Sequence, residues 1–111
     1  MNAVKTYSGE RVPNGAIRTD VEQDGYQRPL THLTRHSGER LDYGAAGPGA
    51  TNLALSILTD YRGRVLKASR CQAFALSFIA PLDRHQPWMI SEAEIEAWLT
   101  VVEGEDHPEN V

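Results

Sequence analysis

Gly44-Ala-Ala-Gly-Pro-Gly-Ala-Thr-Asn-Leu-Ala-Leu-Ser-Ile-Leu58 decides the fold, because the hydrophobic period changes there. Before it, short segments alternate apolar and polar residues in the manner of strands. After it, Leu53, Ala54, Ile57, Leu58 and Tyr61 recur at the spacing of one helical face, with Asn52 early in the helix where a short polar side chain can meet free N–H groups. The glycines between the two regimes mark a bend.

Upstream, Val4 to Tyr7 and Ala16 to Val21 read as strands, with Ser8-Gly9 and the Pro13-Asn14-Gly15 turn between them. Asp24-Gly25 makes a second turn. Leu30 to His36 and Arg40 to Tyr43 are expected as further strands, separated by Ser37-Gly38; Leu41 and Tyr43 share one face and Asp42 the other. Downstream, the first helix is expected to stop near Arg62-Gly63 and a second to begin near Arg64. Cys71, Phe74, Ala75, Phe78 and Ile79 form its buried stripe, Arg64, Lys67 and Arg70 its basic face, and Pro81 its end. Pro87 to Ile90 is a short extended piece. Ser91 and Glu94 then make a capping box for a third helix with the stripe Ile95, Trp98, Leu99 and Val102. The expected fold is α+β, a small N-terminal antiparallel sheet of three to four strands packed by three C-terminal helices. Residues 1–103 form the single domain and residues 104–111 a frayed acidic tail.

Composition narrows the function classes. With 41% hydrophobic and 23% charged residues among 111, the chain is apolar enough for one folded core and too apolar for disorder. A lone cysteine, Cys71, and the lack of a signal-like N-terminal apolar run point to the cytoplasm. The longest apolar stretch, Ala73 to Leu82, is interrupted by Ser77 and Pro81 and falls short of a membrane span. Net charge is −4, unevenly spread: residues 91–111 hold seven acids and no Lys or Arg, while residues 1–90 hold eight acids against eleven bases. The plain reading of the acidic run is a solvated face; the sharper one is a surface offered to a basic partner.

Several residues invite a chemical reading. The glycine-rich loop could hold an anion at the start of the helix, but no Lys-Ser/Thr pair follows Gly49 as a nucleotide-hydrolase loop requires, and glycine also serves simple turn geometry. On a strand His32 and His36 would lie about 13 Å apart, too far to share one ion, so no metal site is expected. His36 and Ser37 beside Asp42 resemble a hydrolytic set, yet neighbours on a strand point to opposite faces. Cys71 on a buried stripe behaves as a small inert hydrophobe. Trp88 and Trp98 read as core aromatics, with Trp88 alternatively an interface anchor. Arg62, Arg64, Lys67 and Arg70 lack interleaved aromatics, which makes nucleic acid a minority reading.

A set of motifs spread over nearly the whole chain resembles a family of small bacterial and phage domains with no known function, domain of unknown function 6166. The residues that carry the resemblance are Tyr7 with Gly9, His36-Ser37, Leu41-Asp42-Tyr43-Gly44, Gly47 and Gly49, and the Leu53-Ala54-Leu55-Ser56-Ile57-Leu58 helix start. Gln72-Ala73-Phe74, Phe78-Ile79-Ala80, Trp88, Ile95 and Trp98 complete it. The chain departs from the family pattern at Gly38, Ala45, Ala46, Ala50 and Asn52. The resemblance implies a small phage or mobile-element interaction protein, non-catalytic and without cofactor, that binds and modulates a host macromolecule, a counter-defence inhibitor such as an anti-CRISPR being one example. On that reading Trp88, Glu92, Glu96 and Glu103 meet the protein partner. The alternative is a nucleotide- or anion-binding domain, or a minor enzyme, using His36, Ser37, Gly47, Gly49, Thr51 and Asn52. A homodimer through the third helix is a third reading.

Overall fold

The computed structural model of the protein describes residues 4–34 and 40–106. Asn14 Oδ1 accepts the Ala16 N–H at 3.0 Å, and this local bond turns β1 (Lys5–Arg11) into β2 (Ile17–Gln23). Asp24 and Gly25, both at positive φ, form a two-residue hairpin into β3 (Tyr26–Pro29). The fourth strand comes from far along the chain: β4 (Trp88–Ser91) pairs antiparallel with β1, setting Tyr7 opposite Ile90 and Gly9 opposite Trp88. Sheet order is β3-β2-β1-β4.

Two strand expectations are corrected. Residues 30–34 and 40–43 belong to no strand. Leu41 and Tyr43 are buried with Asp42 less so, as the alternation implies, but the backbone is satisfied by a helix start instead of a ladder: the Asp42 N–H donates to Gly49 O at 3.1 Å. Leu30 and Leu33 pack on the core as coil, and the Leu33 N–H donates to Ser56 Oγ at 2.8 Å. β1 also runs on through Ser8-Gly9, where a turn was expected. A Cβ on Gly9 would stand 2.7 Å from the Trp88 indole, so the missing side chain makes room for the neighbouring strand's tryptophan.

Tyr7, Val21, Trp88 and Ile90 face the helices, while Ser8, Asp20 and Met89 occupy the other side. Helix α1 (Pro48–Arg62) carries an unbroken buried run from Ala50 to Leu58, and Gly63 in the left-handed conformation ends it, donating to Thr59 O. It starts at Pro48, with Gly47 as its N-cap, so Asn52 lies well inside the helix. Helix α2 (Ala68–Phe74) continues into a π-helical turn, Ala75–Ile79, closed by Ala80 N–H to Ala75 O at 2.8 Å. At its end Ile79 O accepts the Gly44 N–H at 3.0 Å. Helix α3 (Glu92–Asp106) follows β4 directly, whereas α1 and α2 precede β4, so the helices are not all C-terminal to the sheet. The Ser91–Glu94 capping box forms as expected, and α3 continues through Gly104 to Asp106. Phe74 stacks on Phe78 at 4.6 Å, and Trp98 meets both edge-on, joining α3 to α2. Among the described residues no helix is long and apolar enough to cross a membrane.

Asp60, near the end of α1, locks helix to sheet. Its carboxylate accepts Tyr7 OH at 2.9 Å, Lys5 Nζ at 3.1 Å and the Arg28 guanidinium at 2.8 Å. Burial alone would raise its pKa, but the hydrogen bonds from Tyr7, Arg28 and Lys5 outweigh this and hold the carboxyl below the usual value. The same burial and the Asp60 bond push the Tyr7 phenol up. A depressed carboxyl stabilises the fold above its unfolded pKa of about 4, and that contribution is lost as pH falls through the folded value. Asp60→Ala is expected to cost about 2 kcal/mol in urea unfolding at neutral pH, because the buried Tyr7 and half-buried Lys5 lose their acceptor, the exposed Arg28 adding little. Asp60→Asn is expected to flatten the fall in stability that sets in as pH drops below the ordinary carboxyl pKa of about 4.

Candidate functional site

Residues 40–50 fold back across the start of α1, and the contact is close. A Cβ on Gly49 would stand 2.7 Å from Asp42 Cβ and 2.8 Å from Arg40 O, so only glycine lets the two segments pass. Gly44 has φ 85° and a Cβ there would meet Arg84 Cβ at 2.3 Å, which brings the segment before β4 to the same place.

Arg11, at the end of β1, ties these pieces together. Its Nε donates to Arg84 O at 3.0 Å, one terminal nitrogen to Gly15 O at 3.1 Å, and the other to Asp42 Oδ1 at 2.8 Å and Tyr43 O at 3.3 Å. The guanidinium also lies 4.9 Å from the centre of the Tyr43 ring. Asp42 Oδ1 accepts the Tyr43 N–H at 2.8 Å, and its second oxygen is 3.8 Å from Arg84. Partial burial works to raise the Asp42 pKa; the Arg11 bond, the Tyr43 N–H and the charges of Arg11 and Arg84 overcome it and lower it.

The result is an open cleft of about 540 Å³, lined by Arg11, Arg40, Arg84, Asp42, Gly47 and Gly49 among others. Arg11 and Arg84 flank the Asp42 carboxylate and Arg40 adds a third basic residue to the lining, in a protein whose net charge is −4. The first-turn N–H groups of α1 add to the positive potential, since they have no intrahelical acceptor. Such an arrangement attracts an anionic group; Arg11 is already engaged with four acceptors and contributes mainly charge, so donation to the anion falls to the other two arginines of the lining. Beside it lies a smaller hollow of about 180 Å³, walled by Ile17, His32, Thr34 and Leu41. Ala16, Arg40 and Leu41 line both. Thr19 Oγ1 and His32 Nε2 are 2.8 Å apart, which fixes the imidazole at the rim.

The glycine-loop residues divide. Gly47 and Gly49 line the cleft. Thr51 does not: its hydroxyl bonds back to Gly47 O at 3.2 Å, as a helix-interior threonine does. Asn52 is fully buried within α1 and so is also withdrawn from the cleft. His36 and Ser37 lie outside the described residues.

The acidic residues sit at the opposite end of α1. Glu92 accepts the Lys5 N–H at 2.9 Å, Glu96 accepts the Tyr61 hydroxyl, and Glu103 pairs with Arg62 at 2.8 Å. Burial and then Glu96 push the Tyr61 phenol up to about 12. The bond from Arg62 holds the Glu103 carboxyl below its usual value. Trp88 is apart from them. Only 5% exposed, it lies against Gly9 and edge-on to Tyr43, so it is a core residue and not an interface anchor. Arg70, expected on a basic face, is buried while Arg64 and Lys67 are exposed. The arginines of the cleft carry no local motif: each is an isolated base in its own segment, and nothing in the sequence marks them as a set.

A family model described as "Family of unknown function (DUF6166)" matches residues 7–101. No curated protein matches the chain, and no solved structure matches it.

If the close passage at Gly49 shapes the cleft, Gly49→Ala should lower stability by about 1–3 kcal/mol in chemical denaturation, since the added methyl must displace backbone. Gly104→Ala, on a helix with open space around it, should raise stability by up to about 1 kcal/mol and serves as the control.

Proposed function

The chain belongs to the DUF6166 family, whose function is unknown, and from its own geometry we propose that it is a non-catalytic binding protein that grips an anionic group of a larger partner in the cleft at the start of α1. One observation carries the reading: Arg11 and Arg84, from distant segments, meet around the single carboxylate of Asp42, and Arg40 from a third segment lines the same cleft. Arg11 is held rigidly by four acceptors, which reduces the side-chain entropy lost on binding. Glu92, Glu96 and Glu103 cluster by contrast at the far end of α1, about 22 Å away along a helix of this length. The acids at that end are largely paired with Lys5, Arg28 and Arg62, so the excess of cationic residues at the cleft is what favours approach of the partner's anionic patch there.

The wider role proposed is modulation of a host macromolecule by a small mobile-element protein, of which a counter-defence inhibitor is one form. The glutamates at the other end then act in orientation, each already engaged by Lys5, Tyr61 or Arg62. A second reading, capture of a small anion, is favoured by the cleft's volume, which lies within the usual range for small-ligand sites.

Arg40→Glu combined with Arg84→Glu tests the proposal. Co-purification from a bacterial host lysate should lose the partner at least tenfold relative to the unaltered protein, with far-UV circular dichroism unchanged. Glu96→Lys should retain it. Equal capture by the arginine variant overturns the assignment of the cleft, and loss with Glu96→Lys alone moves the contact to α3. For the small-anion reading, a true ligand at 100 times its dissociation constant should add about 2.7 kcal/mol of stability in a thermal-shift screen.

A further inference from the structure

Resting on the cleft as an anion site, we infer that its ligand is a nucleoside 5′-phosphate, with the phosphate among the arginines and the base in the adjoining hollow beside His32. The cleft alone would serve any anion. The hollow changes that, because it shares Ala16, Arg40 and Leu41 with the cleft, so a ligand seated against Arg40 has a mainly apolar recess within reach of its other end.

The recess is small, about 180 Å³, a volume on the scale of a single heterocyclic ring. Its lining combines the apolar Ile17 and Leu41 with the aromatic His32 and the polar Thr34. Histidine is among the side chains on which bases stack, and stacking tolerates any base because every base has a π-face. The contact between His32 Nε2 and Thr19 Oγ1 holds the imidazole in place before a ligand arrives. Thr19 is buried in the sheet, so the anchor does not move with solvent. Arg40, exposed and common to both compartments, can reach the phosphate or the sugar between them. Phosphate fits the arginine end better than carboxylate does, since it offers three acceptor oxygens to donors from separate segments, Arg40 and Arg84, beside the charge of the already engaged Arg11.

The same chemistry has two sources, a free mononucleotide or the 5′-phosphorylated end of a strand. Isothermal titration would compare inorganic phosphate, phenyl phosphate, AMP and UMP, adenosine, and a short single-stranded oligonucleotide with and without its 5′-phosphate. Expected results are at least tenfold tighter binding of AMP and UMP than of inorganic phosphate, and weak binding of adenosine. His32→Ala and Thr34→Trp, the second filling the slot from an exposed position, should bring AMP down to the level of inorganic phosphate and leave phosphate itself unchanged. Arg40→Glu with Arg84→Glu should abolish both. Tighter binding of the phosphorylated oligonucleotide than of AMP identifies the strand end as the source, and equal binding identifies the free nucleotide. Equal affinity for phosphate, phenyl phosphate and AMP, unaffected by His32→Ala or Thr34→Trp, overturns the nucleotide inference while leaving the anion cleft intact. No binding by any anion to the folded protein overturns both.

Discussion

Asp42 is the point at which the fold and the cleft depend on the same bonds. Its N–H is spent on the Gly49 carbonyl, one carboxylate oxygen accepts from both Arg11 and the Tyr43 N–H, and the other faces Arg84. Four separate stretches of chain are thereby fixed to one another: the end of β1, residues 40–44, the start of α1, and the segment that leads into β4. A carboxylate in the middle of a cationic cleft looks unhelpful for binding anions. Its effect is to pair with Arg11 and let the Arg11 and Arg84 charges remain close together, at the cost of part of the net potential.

The second fixed point, Asp60, lies at the other end of the same helix. It gathers Lys5 and Tyr7 from β1 and Arg28 from β3 against the last turn of α1, so the helix is clamped to the sheet at both termini by carboxylates whose pKa values are lowered. Between the clamps, the buried run from Ala50 to Leu58 supplies the apolar contact. At the Asp60 end the acids are paired, Asp60 with Lys5 and Arg28 and Glu103 with Arg62, whereas the cleft end sets Arg11, Arg40 and Arg84 against one carboxylate-bearing residue, Asp42.

Much of the secondary structure was legible. The Asn14-Gly15 and Asp24-Gly25 turns, the end of α1 at Gly63, the stripe of Cys71, Phe74 and Ile79 and the Ser91–Glu94 capping box all follow from interactions within a few residues, and they form where expected. The errors share one cause. Residues 40–43 alternate as a strand does, but alternation reports burial on one side and not the presence of a neighbour to pair with; α1 supplied the hydrogen bonds. Ser8-Gly9 looked like a turn because glycine often marks one, whereas Gly9 is there to admit the Trp88 ring from β4. Of the candidate site, Gly47 and Gly49 were visible as a cluster. The arginines were not, because each is unremarkable among its own neighbours.

The sequence by itself therefore determined the α+β class, the number and order of helices, the turns and the single apolar core, since these rest on local periodicity, capping and turn chemistry. Only the tertiary structure decided that Trp88 is buried, that β4 closes the sheet beside β1, that Thr51 and Asn52 are buried within α1, and that Arg11, Arg40 and Arg84 line one cleft. The physical reason is range. Backbone preferences and side-chain stripes are set within about one helical turn or two strand residues, but the position of a charge relative to another charge depends on how distant segments pack, and that is fixed by close approaches such as Gly49 against Asp42.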